Sequence, residues 1–391
     1  MGIIVRYILR ELCVTFLIGF VALTGLLLIV GLVQQAFNKP IPPILLLQFI
    51  PFVFAKMSSI SLPVTLLLAV TVFFSRMSGN NEVIALKALG VSPSAFLMPV
   101  FVLAVIISLI GFKINELAVT WGQYGINAVL YYNAESILIE QLKKERSFET
   151  DDKQITIVVR DVDEQNRLIE PKIMLKRDEV TIEARRAEIS IDFAKSILTV
   201  NLEDLRIVSG STKLVFAQRE FPISLSEIIP DTKSDRPSNM ELSKIYDEME
   251  QKAEQIEQQR RILAAYYTFG TVMGSIDDWR TWQILNANEQ LGLLQKEYNR
   301  LSVEPPRRWA TGFCCFFFVW LGAPLAIWMR KSDFFSCFFA CFVPILLLYF
   351  PLLMLGLDQA KKGDLPPMCV WVGNIGIGLI GLWYLRKIHR Y

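Results

Sequence analysis

Six charge-free apolar runs, at 12–33, 57–75, 88–112, 309–329, 334–357 and 365–385, set the limits on what this chain can fold into. A helix of about 20 such residues crosses roughly 30 Å of hydrocarbon, and only a helix or a closed barrel can do so with every backbone group satisfied. The reading is a polytopic α-helical membrane protein with six spans. Composition agrees, because 53% apolar and 20% charged residues are far from the balance of a soluble enzyme. The first run exceeds the apolar core of a signal peptide, about 7–15 residues, and lacks a small-residue cleavage site, so it is read as a retained span.

Basic residues orient the spans. If the six alternate, Arg6, Arg10, Arg76, Lys87, Arg330, Lys331, Arg386, Lys387 and Arg390 share one side, while the short loops opposite hold Lys39, Lys56, Lys361 and Lys362. The positive-inside rule then makes both termini cytoplasmic and places residues 117–308 outside, as in a multi-pass protein of a bacterial inner membrane facing its periplasm. A net charge of +2 offers no reason to expect nucleic acid. All six cysteines fall within predicted spans, so the outer insertion is not disulfide-stapled. Cys337 and Cys341 share a helix face, but the only histidine, His389, lies in a basic tail, and the reading is helix packing without a metal.

The layout is three spans, an insertion and three spans. It divides into 1–116 with spans one to three, 117–235, 236–305, and 306–391 with spans four to six. Between about 148 and 226 apolar and polar residues alternate in "KQITIVVRDVD", "KSILTVNLEDLRIV" and "TKLVFAQREFPISL". That period predicts antiparallel strands in a sandwich or jelly-roll-like domain with edges open to partner strands. Residues 239–302 change to helical spacing and predict a hairpin whose first helix is capped by Ser238 or Asn239 and whose second ends before "VEPPRRW". Ahead of the second span, "PIPPILLLQFIPFVFA" is expected to lie along or above the membrane surface, with Lys56 marking the boundary.

The stretch "SGNNEVIALKALGVSP", residues 78–93, breaks the apolar pattern between spans two and three. Ser78 or Asn80 is a candidate cap, Glu82 suits a helix first turn, and Val83, Ile84, Leu86 and Leu89 form an apolar stripe. Gly90 ends the helix, and Ser92 with Pro93 starts the next. The outcome is a separate short helix at 78–90: an interfacial connector, or a lever that a soluble ATPase grips.

Several of these motifs, taken in order, resemble a known family. The opening "RYILRE", the second span's "LLLAVTVFFSRMS", "NNEVIALKALGVSP", "RRW" before span four and "GAPLAIWMRK" at its close resemble the lipopolysaccharide-export permeases of the LptF/LptG type. The resemblance implies a transmembrane subunit of an ABC transporter that extracts lipopolysaccharide. Its implied partners are a cytoplasmic ATPase dimer, a second LptF/LptG-type permease chain and periplasmic jelly-roll bridge proteins joined by strand addition. Glu82 occupies the place of the glutamate that meets the ATPase, with Asn81, Val83 and Lys87 beside it. Asn81 stands where an acid often precedes that glutamate, the segment after span four lacks the usual Gly and extra Arg, and the 239–302 hairpin is longer than the usual connector.

Lys39, Lys56, Arg307 and Arg308 are candidate contacts for lipid phosphates, the adjacent arginines being best suited to bidentate binding. Interfacial snorkelling is the competing reading of each and needs no ligand. Phe16, Phe20, Phe335 and Phe342, on spans one and five, are candidate acyl-chain contacts. With no phosphate-cradling G-x-x-x-x-G-K-[ST], no cofactor is expected on this chain and ATP is used by the partner ATPase. The protein is therefore read as a non-catalytic subunit. An exporter of another large amphiphile and an ion-coupled secondary transporter are the alternatives. The scarcity of charge within the spans weighs against the second.

Overall fold

The computed structural model describes residues 2–38, 43–149, 155–163, 165–175, 180–192, 197–209, 212–224, 237–273, 278–329 and 334–390. Two units emerge, Met1–Leu26 with Ala55–Thr120 and Asp235–Tyr391, and Leu27–Phe54 with Trp121–Ser234. Among the described residues, six helices are long and apolar enough to cross a membrane. The chain is a mostly helical polytopic membrane protein with an inserted antiparallel β domain.

The first unit is built from α1 (Gly2–Asn38), α2 (Pro43–Gly79), α3 (Glu82–Ala88), α4 (Pro93–Leu117), α7 (Leu242–Met273), α8 (Asp278–Trp328), α9 (Phe334–Pro344), α10 (Phe350–Lys362) and α11 (Val372–Arg390). Helices α1 and α2 continue beyond it, their 27–38 and 43–54 segments falling in the second unit. Lipid gives helices no hydrophobic reason to associate, so close approach and buried polar contacts must hold the spans together. Helix α8 supplies most of them. A Cβ on Gly312 would sit 2.8 Å from the Cβ of Phe112, and a Cβ on Gly381 would sit 2.8 Å from the Trp320 carbonyl oxygen, so α4 and α11 lie directly against α8. Polar side chains pin both contacts. The Phe316 N–H donates to Ser108 Oγ at 3.0 Å, Asn374 Nδ2 donates to the Ala310 carbonyl at 2.9 Å, and Trp320 Nε1 donates to the Gly378 carbonyl at 3.2 Å. Helices α1 and α2 are joined by the Thr24 and Ser61 hydroxyls, 2.6 Å apart.

Two helices are longer than the sequence pattern suggests. Helix α2 passes through Lys56 without a break, 37 residues or about 55 Å long. Lys56 is exposed, so its charge is accommodated without ending the helix, and the preceding apolar segment is helical and continuous with the span. Helix α8 runs 51 residues, joining the second hairpin helix to span four across Pro305 and Pro306. The expected end before "VEPPRRW" is absent. Two prolines remove only the donors owed to the Leu301 and Ser302 carbonyls and preset a helical φ, so the flanking turns carry the helix through.

The second unit holds α5 (Gln123–Tyr132), α6 (Ala134–Glu145) and nine described strands: β1 (Ser147–Glu149), β2 (Ile155–Val158), β3 (Asp161–Val162), β4 (Leu168–Ile169), β5 (Lys172–Leu175), β6 (Val180–Glu183), β7 (Arg186–Asp192), β8 (Ile197–Ser209) and β9 (Thr212–Ser224). They form one antiparallel sheet ordered β1-β2-β5-β6-β8-β7-β4-β3, with β9 on the other side of β8. Residues on one face of a straight strand are an even number apart. Here the buried residues across each corner are an odd number apart: Leu168 and Ile173, Ala184 and Ala187, Leu202 and Leu205. The chain therefore turns a corner and changes phase between β4 and β5, between β6 and β7 and within β8, helped by the left-handed Glu170 and Asp204, at φ 49° and 51°. A single sheet curls into a half-barrel around one core, and two facing sheets are not required. Ala134, Leu138 and Leu142 of α6 complete that core.

Candidate functional site

Helix α3 is bounded at both ends by backbone that cannot continue a helix. Asn81 is left-handed at φ 59°, and Gly90 is left-handed at φ 79°, a conformation that suits glycine. No side chain caps the α3 N-terminus. Ser78, expected there, instead donates its hydroxyl to the Ile327 carbonyl at 3.2 Å, while Asn80 Nδ2 reaches Glu82 Oε1 at 3.3 Å. The downstream boundary falls where expected, with Ser92 extended and Pro93 opening α4, but the Ser92 hydroxyl makes no cap bond and lies 3.1 Å from Ser94 Oγ.

The seven residues of α3 divide sharply by face. Val83 is 3% exposed and belongs to the buried cluster that includes Leu325, Ile327 and Ile388. One turn on, Lys87 is half-buried and donates from Nζ to the Ile388 carbonyl at 3.0 Å. At about 100° per residue these two point the same way, with Leu86 beside them. Opposite lie Ile84, Ala85, Ala88 and Leu89, all exposed, Leu89 to 79%. Glu82 is half-buried and, by the same geometry, stands on the Ala85 and Leu89 side. An apolar ridge with one acid at its edge is thus presented outward by a helix anchored inward. Nearby, Arg76 of α2 pairs with Glu11 of α1.

The candidate phosphate contacts are scattered in their environments. Arg308 is 1% exposed, paired with Glu116 Oε2 at 2.7 Å, and its Nη2 donates to the Met240 and Pro237 carbonyls. The other Glu116 oxygen accepts the Leu242 N–H at 3.1 Å, a carboxylate cap on the first turn of α7. The expected caps Ser238 and Asn239 bond each other. Arg308 is thereby committed inside the fold, where the pattern "RRW" alone suggested a lipid-facing pair. Arg307 is partly exposed and lies 2.6 Å from Glu304, itself buried. Lys56 is exposed on α2, and Lys39 lies outside the described residues.

Of the aromatic candidates, Phe16 and Phe20 stack on each other at 5.7 Å and Phe342 stacks on Phe338 at 5.4 Å. These three are half-buried against the span core, whereas Phe335 is exposed. Sequence reasoning passed over Glu116, although an acid closing an otherwise apolar span is a signal, because its partner is 192 residues away.

The sequence profile of one family, described as "Lipopolysaccharide export system permease LptF/LptG", matches residues 6–387. No curated protein matches the chain.

Proposed function

The chain belongs to the LptF/LptG family of lipopolysaccharide export system permeases, and from that premise we propose that it is the membrane-spanning subunit of an ABC transporter driven through α3. Such a permease is a multi-pass inner-membrane transport subunit rather than an enzyme. The division of α3 into an anchored face and an exposed one carries the reading. Ile84 and Leu89, both exposed on the face that has Glu82 at its edge, form an apolar ridge that suits the edge of a contact. A separate ATPase dimer burns ATP and closes on this ridge. Charged contacts made across such an interface, when truncated on one side, cost several kcal/mol, on the order of 2–5, enough to uncouple the stroke.

In this reading both termini are cytoplasmic, a second permease chain of the same family faces this one, and lipopolysaccharide leaves between them. The apolar residues that α1 and α9 leave exposed, Leu17, Val21, Phe335 and Phe339 among them, suit lipid or a partner span. The β domain receives the lipid and passes it to a periplasmic bridge. Strand β9 pairs only with β8 among the described strands and exposes Val215, which suits strand addition. The test is Glu82→Ala in membranes containing the ATPase. The chain inserts normally and ATP-driven lipid release falls to background; release at the unaltered rate would refute the lever.

A further inference from the structure

Ser78 and Lys87 bracket α3, and each donates to a backbone carbonyl in the last turn of a different span. The Ile327 carbonyl belongs to α8, which ends at Trp328, and the Ile388 carbonyl belongs to α11, which ends at Arg390. The last four carbonyls of a helix have no donor within it, so each needs one from elsewhere. A cationic side chain at that end also meets the negative end of the helix dipole. Side chains back both bonds, since Ile327, Ile388 and Val83 are all buried in one cluster.

From this arrangement we infer that Lys87 is a positioning residue: with Ser78 it ties the lever to the ends of spans four and six, which do not flank it in sequence. The inference rests on the lever reading and adds the path of the stroke. Helix α3 is joined covalently only to spans two and three, through corners at Asn81 and Gly90. Movement passed through left-handed corners alone would be spent in bending them. Lys87 gives the stroke a second exit, directly into α11, and also fixes the angle at which Glu82 and Leu89 meet the ATPase. Its amine is turned away from the docking ridge, so its role is separable from binding.

Two measurements test this on the full chain. Nitroxide labels at Ile84 and His389, both exposed, are placed in a chain with Cys13 and Cys369, its partly accessible cysteines, replaced by Ser. The distance distribution is narrow, and Lys87→Met broadens it; an unchanged distribution overturns the tie. In the complete transporter, Lys87→Met leaves ATPase binding within about two-fold, lowers lipid released per ATP by about ten-fold, and Lys87→Arg restores most of it. Loss of ATPase binding would make Lys87 a docking residue and overturn the inference, as would unaltered release per ATP despite a broadened distribution. Should Lys87→Met not accumulate, Ser78→Ala, which removes only a hydroxyl, is expected to lower release per ATP in the same direction, and an unaltered ratio there counts against the inference. If the unaltered chain shows no ATP-driven release, the lever reading itself fails, while the label distances still report on the tie.

Discussion

The Arg308 junction and the Lys87 junction use the same kind of contact at unequal strength. At each, a cationic side chain donates to backbone carbonyls at a helix end or turn. Arg308 is 1% exposed, takes two carbonyls and is neutralised by Glu116, which in turn caps α7. Lys87 is half-buried, donates to the Ile388 carbonyl, and sits on a seven-residue helix between two left-handed corners. A buried ion pair breaks only at great cost, whereas a single hydrogen bond from a half-buried ammonium is a lighter tie. The first junction is a structural joint holding α7 to spans three and four; the second sets the angle of a short helix and passes on its movement.

That contrast predicts graded effects. Arg308→Ala leaves the half-buried Glu116 carboxylate without its cation and the Met240 carbonyl without this donor, and should cost about 3–5 kcal/mol, read as a large fall in Tm and in yield of inserted protein. Arg308→Lys should recover only part, because an ammonium cannot reproduce the fork. Native-like melting of Arg308→Ala would show the joint to be dispensable. Next in size, Gly312→Ala forces a Cβ onto Phe112 and should cost about 1–3 kcal/mol, seen as a lower Tm without loss of insertion. Val83→Ala removes the anchor of α3 and should cost about 1.5 kcal/mol, with faster amide exchange confined to residues near 82–90; protection unchanged there would deny Val83 its role. Smallest in stability, Leu89→Ser should shift folding by less than about 0.5 kcal/mol while abolishing ATPase recruitment. A Leu89→Ser chain that still recruits the ATPase would move the docking face elsewhere.

Much of this was readable in advance wherever the signal was local. Charge-free runs mark the six spans, period-two alternation marks the strands, and Gly90 with Ser92 and Pro93 marks the end of α3. Pairings between distant residues left no such trace. Arg308 reads as a lipid-facing arginine until Glu116 is placed beside it, and Lys87 reads as an ATPase-side neighbour of Glu82 until the Ile388 carbonyl, 301 residues on, is found to accept its hydrogen bond. The curl of the sheet was hidden differently. Leu202 and Leu205 break strict alternation, which looks like noise in sequence and is a corner in the structure. Helix α6 was missed because it is short and packs its Ala134, Leu138 and Leu142 stripe into a β core rather than against another helix.

The central claim is that α3 faces a nucleotide-burning partner with one side only. Photocrosslinking amino acids placed singly at Val83, Ile84, Ala85, Lys87 and Leu89 in native membranes test it directly. Adducts with an ATPase subunit from 84, 85 and 89, and none from 83 and 87, are the expected result. Adducts from 83 and 87 instead, no ATPase adduct from any position, or labelling of α3 by reagents confined to the periplasmic side would contradict it.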